Sequence, residues 1–444
     1  MVEVKASLPR ARRKALVVLA AAAALAGPGG ARAQAPPPDA SGAVTEATDL
    51  VNALLGGLMG GAGITGEKLQ EEVAEAGGMP FRRQVPVAFL GKDELAAYLK
   101  ELLDVEYPQE QARADERLLQ SFDLLAGSSG LRAVRARVLE DNVAGFYDER
   151  PERRRLYAVS EDRSFTPMNQ IVLAHELRHA QQDQYEDLHS HLSEDVGDFD
   201  DRRIAWVSLL EGDATLVMER FVRLRLGGLG LEGAGEDVVG DGASGLAAPG
   251  LFDMPGAPAV VRDHLVQPYL TGLVLARAIW TRGGAEAMRA AWRRPPESTE
   301  QVLHPEKFFA GEPPRITSPA CSPPPGARLI SEGVLGELLL RTLLEEGAEV
   351  AAAGWGGDGF LLWDVGGRTA LAWRSEWDST RDAVEFHQAL GARFARHRGP
   401  AVQHGEWDVY GGADPWRFAV RRKGDGVELV SADNPDLLGR LMGR

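Results

Sequence analysis

Cysteine is almost missing. One thiol, Cys321, stands among 444 residues, so no internal disulfide forms and the fold has to rest on a buried core. Positive charge is also in deficit: 49 Lys and Arg face 65 Asp and Glu, a formal net charge of −16. A surface this acidic argues against nucleic acid or an anionic membrane as partner and favours solubility. Long apolar runs are scarce. The one near the start, Ala15 to Gly27, is too short to span a bilayer comfortably. No internal repeat is evident, which sets solenoids and propellers aside.

That apolar run has basic residues before it, Lys5, Arg10, Arg12, Arg13 and Lys14, and the small-residue pattern Ala31-Arg32-Ala33 after it. Together they read as a secretory signal over residues 1–33, with cleavage expected after Ala33 and a mature chain starting at Gln34. The expected location is secreted or periplasmic, with no stable membrane span once the signal is removed. The Arg12-Arg13 pair also admits twin-arginine export. Removing residues 1–33 takes away six basic side chains and one acidic one, so the charge moves from −16 to −21.

Residues 34–78 are rich in Pro, Ala and Gly and are expected to be a flexible or loosely helical lead-in. A strand is expected at 85–90, then helices at 92–103 and 109–125. Two β-like runs follow, in part of 131–147 and at 155–159. VAGFYD and RRLYAVS within them read as a hairpin. Its outer strand is either a plain structural edge or the rim of a cleft that pairs with an extended peptide. A helix over about 200–226 carries Ile204, Val207, Leu210, Ala214, Val217, Met218 and Phe221 on one stripe. Residues 186–201 read as a solvated loop, and 227–257 as an insertion. Helices are expected at 266–281 and 285–292, and Ser298-Thr299-Glu300-Gln301 resembles a capping box. A Pro-rich linker, 316–326, separates a first domain, 79–315, from a C-terminal α+β domain, 327–444. There a helix is expected at 331–346 and another at 381–396, with strands at 360–363, 369–373, 417–422 and 427–431. The fold class is α+β.

The chemistry concentrates in TPMNQIVLAHELRHAQQDQ, residues 166–184. Thr166 reads as an N-cap and Pro167 as the first helical residue. Inside the helix, His175-Glu176-Leu177-Arg178-His179 spells HExxH. Residues four apart on a helix share a face, so both imidazoles reach one metal ion, and Glu176 can address a water in its open position. A bland amphipathic helix carrying two surface histidines is the competing account. Glu211 sits on the apolar stripe of the 200–226 helix, where a carboxylate costs desolvation energy unless it is paired or bound to a metal.

HELRH, followed 32 residues after His179 by Glu211 in LLEGDATLV, resembles the gluzincin zinc peptidases. The stretches VAGFYD, LAHELRHAQQDQ, LLEGDATLV and PPESTEQVLHPEKFFAGEPP also resemble an uncharacterised bacterial family of exported HExxH proteins. Together these cover about residues 140–315. The resemblance implies a zincin-like catalytic domain with one Zn2+ held by His175, His179 and Glu211 and a water as fourth ligand. It implies that Glu176 takes a proton from that water and passes it to the leaving amine. It also implies a Tyr or His donor to the oxyanion. Tyr269 is the first candidate and His304 the second, and for each the competing account is a residue that anchors helix packing. Asp183 and Thr215, four residues beyond His179 and Glu211, are expected to support the ligands, although helix-surface polarity accounts for them equally well.

The extended form with a third His six residues after His179 is excluded, because Tyr185 and Gln182 occupy its His and Gly positions. His189 and His191 lie in the expected loop, with no rigid element to fix them. Cys321 reads as an incidental thiol rather than a zinc cap. The expectation is an exported zinc metallopeptidase acting on peptide or protein substrates, an endopeptidase in preference to an exopeptidase. Two rivals stand beside it: a catalytically silent exported zinc protein with a binding role, and a zinc amidase acting on a non-peptide cell-wall amide. The intact Glu176 argues against the first, because a structural site has no need of it.

Overall fold

The computed structural model describes residues 18–21, 65–127, 130–165, 167–192, 197–227, 254, 256–345, 347–412 and 415–443. Most of the expected lead-in, most of the 227–257 insertion and the expected cap Thr166 lie outside them. The lead-in ends in an ordered helix, α1 (Gly66–Gly77), whose Leu69, Val73 and Ala76 are buried. Thr65 caps it by accepting from the Lys68 backbone N–H.

The first sheet has four strands in the order β1-β3-β4-β2. They are β1 (Val18–Ala21), β2 (Val87–Leu90), β3 (Val143–Asp148) and β4 (Arg155–Val159). The expected hairpin is there: β3 and β4 pair antiparallel, with Phe146 opposite Tyr157. β2 joins β4 in parallel, and β1 lies antiparallel along the outer edge of β3, Val18 opposite Tyr147. Strand alternation sends Phe146 to one face, where it stacks on Tyr157 and meets Tyr98. The opposite face receives α5 (Pro167–Glu186), and Gly145 lets the helix close in, since a Cβ there would lie 3.1 Å from a Leu173 methyl.

The helices around the sheet are α2 (Lys92–Glu106), α3 (Gln109–Ser121) and α4 (Leu131–Asn142). α4 corrects the β-like reading of 131–142. Its buried residues Leu131, Val138 and Leu139 recur at helical spacing, and the run turns to strand only at Val143. In the expected loop after α5 a short helix forms, α6 (Leu188–Leu192). Then come α7 (Asp201–Gly227) and α8 (Ala259–Arg293). The two helices expected at 266–281 and 285–292 are one element, starting earlier and broken at Gly283-Gly284, where the backbone leaves helical φ and ψ. α9 (Thr299–Leu303) has the Ser298 cap that the capping pattern predicts, and α10 (Pro305–Ala310) follows.

α7 and α8 cross with backbones in contact. A Cβ on Gly272 would fall 1.8 Å from the Ser208 carbonyl oxygen, and one on Gly212 would fall 2.0 Å from the Gly272 carbonyl carbon. No side chain fits at that crossing.

The C-terminal part holds a seven-stranded antiparallel sheet in the order β5-β6-β7-β11-β10-β9-β8. Its strands are β5 (Arg328–Gly333), β6 (Trp355–Val365), β7 (Arg368–Trp377), β8 (Val402–His404), β9 (Trp407–Gly411), β10 (Arg417–Lys423) and β11 (Gly426–Ala432). The helices are α11 (Gly336–Leu344), α12 (Ala348–Ala352), α13 (Thr380–Arg398) and α14 (Pro435–Leu441). β5 takes the start of the helix expected at 331–346. β8, β9 and α14 had no counterpart in the sequence reading. Along β7, Leu371 and Trp373 join one apolar cluster while Ala370 and Ala372 join another against α14.

The Pro-rich linker marks a change in composition but no break in the core. One buried cluster takes Leu99, Leu119 and Phe122 from before the linker with Trp373, Phe386 and Leu429 from after it. Polar contacts cross the same seam: Arg117 donates to Asp364 at 2.7 Å, the Ser431 hydroxyl to the Ser121 carbonyl at 2.7 Å, and the Asp201 N–H to the Val334 carbonyl at 2.9 Å.

Candidate metal centre

Three elements build the site. α5 carries His175, Glu176 and His179, α7 carries Glu211, and α8 carries Tyr269. The His175 Nε2 lies 3.0 Å from Glu211 Oε2 and 3.0 Å from His179 Nε2, and His179 Nε2 lies 3.5 Å from the same oxygen. Four-coordinate zinc with bonds of 2.0–2.1 Å holds its ligand atoms about 3.3 Å apart, so the spacing fits. All three side chains are buried. Among the described residues this is the sole His/Cys/Asp/Glu group with metal-ligand spacing. Two imidazole nitrogens and a carboxylate oxygen converge in a buried space, and with both imidazoles neutral and their Nε2 lone pairs turned inward a cation would satisfy all three.

Titration follows from the same crowding. Burial pushes the His175 imidazole down. For His179 burial also opposes protonation, but the Glu211 carboxylate outweighs it and the net direction is up. Burial pushes the Glu211 carboxyl up, yet the attraction of His179 and the bonds from both imidazoles prevail and hold it at about 2. Glu211 is therefore ionised, as a ligand must be.

Glu176 is fully buried beside the ligands, and its Oε2 accepts the Tyr147 backbone N–H at 2.8 Å. β3 of the hairpin thus holds the candidate base. Tyr269 reaches the site as well. Its ring stacks on His175 with centroids 5.8 Å apart, and its hydroxyl bonds to Glu211. Burial, then the Glu211 and Glu176 charges, push the phenol well up, so it stays a hydrogen-bond donor at neutral pH.

The structure does not bring His304 to the triad. Its imidazole is taken by Glu337, 3.1 Å away on α11, with Glu306 at 3.8 Å, and it joins α9 to the C-terminal part. Neither Asp183 nor Thr215 hydrogen-bonds to the triad. Asp183 accepts from the Tyr147 hydroxyl at 2.8 Å and pairs with Arg154 at 2.8 Å, so it braces the strand that holds Glu176. Thr215 is buried with its hydroxyl unpartnered. His189 stays outside the group, and Cys321 lies against α14 at the Leu441 carbonyl.

The residues that do support His179 were missed. Its Nδ1 lies 2.8 Å from Gln182 Oε1, and Gln182 in turn bonds to Asp213, which pairs with Arg178. The signal was present: Gln182 is three residues from His179 on the same helix face, and Asp213 is two residues from Glu211.

Residues 327–442 match the family model described as a domain of unknown function (DUF8575). The matched range begins at the end of the Pro-rich linker and lies wholly C-terminal to the triad. No curated protein and no solved structure matches the chain.

Proposed function

We propose that the protein is an exported, zinc-dependent hydrolase of peptide bonds in which Glu176 is the general base. The reading is carried by one observation: three buried groups able to hold a metal ion converge beside a second carboxylate, Glu176, whose Oε2 accepts the Tyr147 backbone N–H. Zinc bound by His175, His179 and Glu211 would supply an acidified water and an electrophilic pole. Glu176, with one oxygen fixed by Tyr147, takes the proton of the attacking water and delivers it to the leaving nitrogen. Tyr269 keeps its proton and donates to the carbonyl oxygen as negative charge builds there. β3 supports the choice of an extended peptide as substrate. Its outer edge borders α5 and pairs with Val18–Ala21, a segment inside the expected export signal. Cleavage after Ala33 would leave that edge open to another extended strand.

The test is Glu176→Gln, which removes a base without touching a ligand. Zinc content should match the wild type, while cleavage of a proteome-derived peptide library, read by mass spectrometry, should fall by about 10²–10⁴-fold. Equal cleavage by the variant would remove Glu176 from the role of base.

A further inference from the structure

A buried relay runs from His179 into the protein. The Gln182 side-chain N–H groups donate to the Leu210 carbonyl at 3.0 Å and to Asp213 Oδ2 at 2.9 Å. Two acceptors on one side leave no choice for the amide: its nitrogen faces them, and its oxygen faces His179 Nδ1. An amide oxygen is only an acceptor, so the His179 proton has to sit on Nδ1, which donates, and Nε2 presents its lone pair to His175 and Glu211. Asp213 is itself fixed by two bonds from Arg178, Nε at 2.9 Å and Nη2 at 3.1 Å, with both side chains fully buried. Arg178 lies over the Trp292 ring, 4.8 Å from its centroid, and also donates to Gln181 at 2.9 Å. Gln181 in turn donates to the Met79 carbonyl at 2.7 Å. Asp213 is thereby oriented from α5, from α8 and from the segment after α1.

We infer that Gln182 is a positioning residue of the metal centre: it fixes the tautomer and rotation of His179 and so sets the affinity for zinc, while Asp213 and Arg178 hold its amide. Because the acceptor is a neutral amide rather than a carboxylate, it orients the imidazole without adding negative charge to the site. The ligand set then keeps the net +1 of zinc with two neutral His and one Glu, the condition for an acidic bound water. The inference rests on the triad being a metal site and is independent of what, if anything, is hydrolysed.

The full-length protein tests it with three readouts: zinc affinity by competition with a chromophoric chelator, the absorption spectrum of the Co(II)-substituted protein, and the melting temperature of the metal-free form. Gln182→Met, close in length but lacking the acceptor, should lower zinc affinity by about 10–100-fold and alter the Co(II) bands. If the Met variant does not fold, Gln182→Asn, with its oxygen withdrawn by one methylene, should give the same loss. Lower metal-free stability with unchanged zinc affinity and an unchanged Co(II) spectrum would mean a packing role only and would overturn the inference, leaving the metal site intact. A wild-type protein that takes up no zinc would overturn both.

Discussion

Glu211 is the residue that turns a two-histidine helix into a group that could hold a metal ion. It is 4% exposed and stands on the inward face of α7, where an unpaired carboxylate would cost several kcal/mol. Among the described residues the atoms that face it are those of His175, His179 and Tyr269. Glu211→Ala should therefore strip zinc as completely as His175→Ala does, with metal content near zero after dialysis against a weak chelator. His189→Ala and His191→Ala should stay near stoichiometric. Zinc retained by the Glu211 variant and lost by a His189 or His191 variant would move the third ligand elsewhere.

At the scale of elements, the site depends on how closely α7 and α8 approach. Glu211 is next to Gly212, and Tyr269 is one turn before Gly272, so the glycine-on-glycine crossing sets the distance from ligand to phenol. A Cβ on Gly272 meets the Ser208 carbonyl oxygen, which is helix backbone and cannot rotate away. Gly272→Ala should separate the helices at a cost of about 1–3 kcal/mol, seen as a lower urea midpoint. It should also lower kcat/KM by withdrawing Tyr269 from His175. An unchanged midpoint would show that the helices part without strain.

Across the whole molecule, the seven-stranded sheet is part of the core that supports the site. Trp355, Trp373 and Trp377 are each about 1% exposed or less and pack in one cluster with Leu99, Leu119 and Phe122. Burying one large apolar side chain is worth roughly 1.5–3 kcal/mol, so removing the C-terminal part leaves a face that costs several times that amount in water. Asp358 ties together the C-terminal side of that seam, accepting from the Leu335 and Gly336 N–H groups and from the indoles of Trp355 and Trp373. A chain truncated after Pro325 keeps every ligand, and the composition change at the linker alone would predict a soluble zinc-binding fragment. The shared core predicts the opposite: a fragment that aggregates or fails to retain zinc. A monodisperse, zinc-loaded fragment in size-exclusion chromatography would show that the first part folds alone.

Much of the site was legible because its signals are local. The four-residue spacing of His175 and His179 puts both on one helix face whatever surrounds them, and the stripe of α7 points Glu211 inward by periodicity alone. The hairpin before α5 and the α+β class follow from patterns of the same short range. Local pattern could not separate the helix at 131–142 from a strand, because apolar residues in LRAVRARVL fit both periods until burial chooses one. Nor could it give the partners of polar side chains. Asp183, four residues from His179, looked like its support, but the strand packed over α5 brings Tyr147 and Arg154 to Asp183, and Gln182 takes the imidazole. His304 went to Glu337 for a similar reason, since α11 of the C-terminal part lies against it. The sequence by itself determined which groups could hold a metal ion and which face of each helix they occupy, because those depend on repeats of a few residues. Only the tertiary structure decided which groups meet, because that depends on helix crossings and a core assembled from segments hundreds of residues apart.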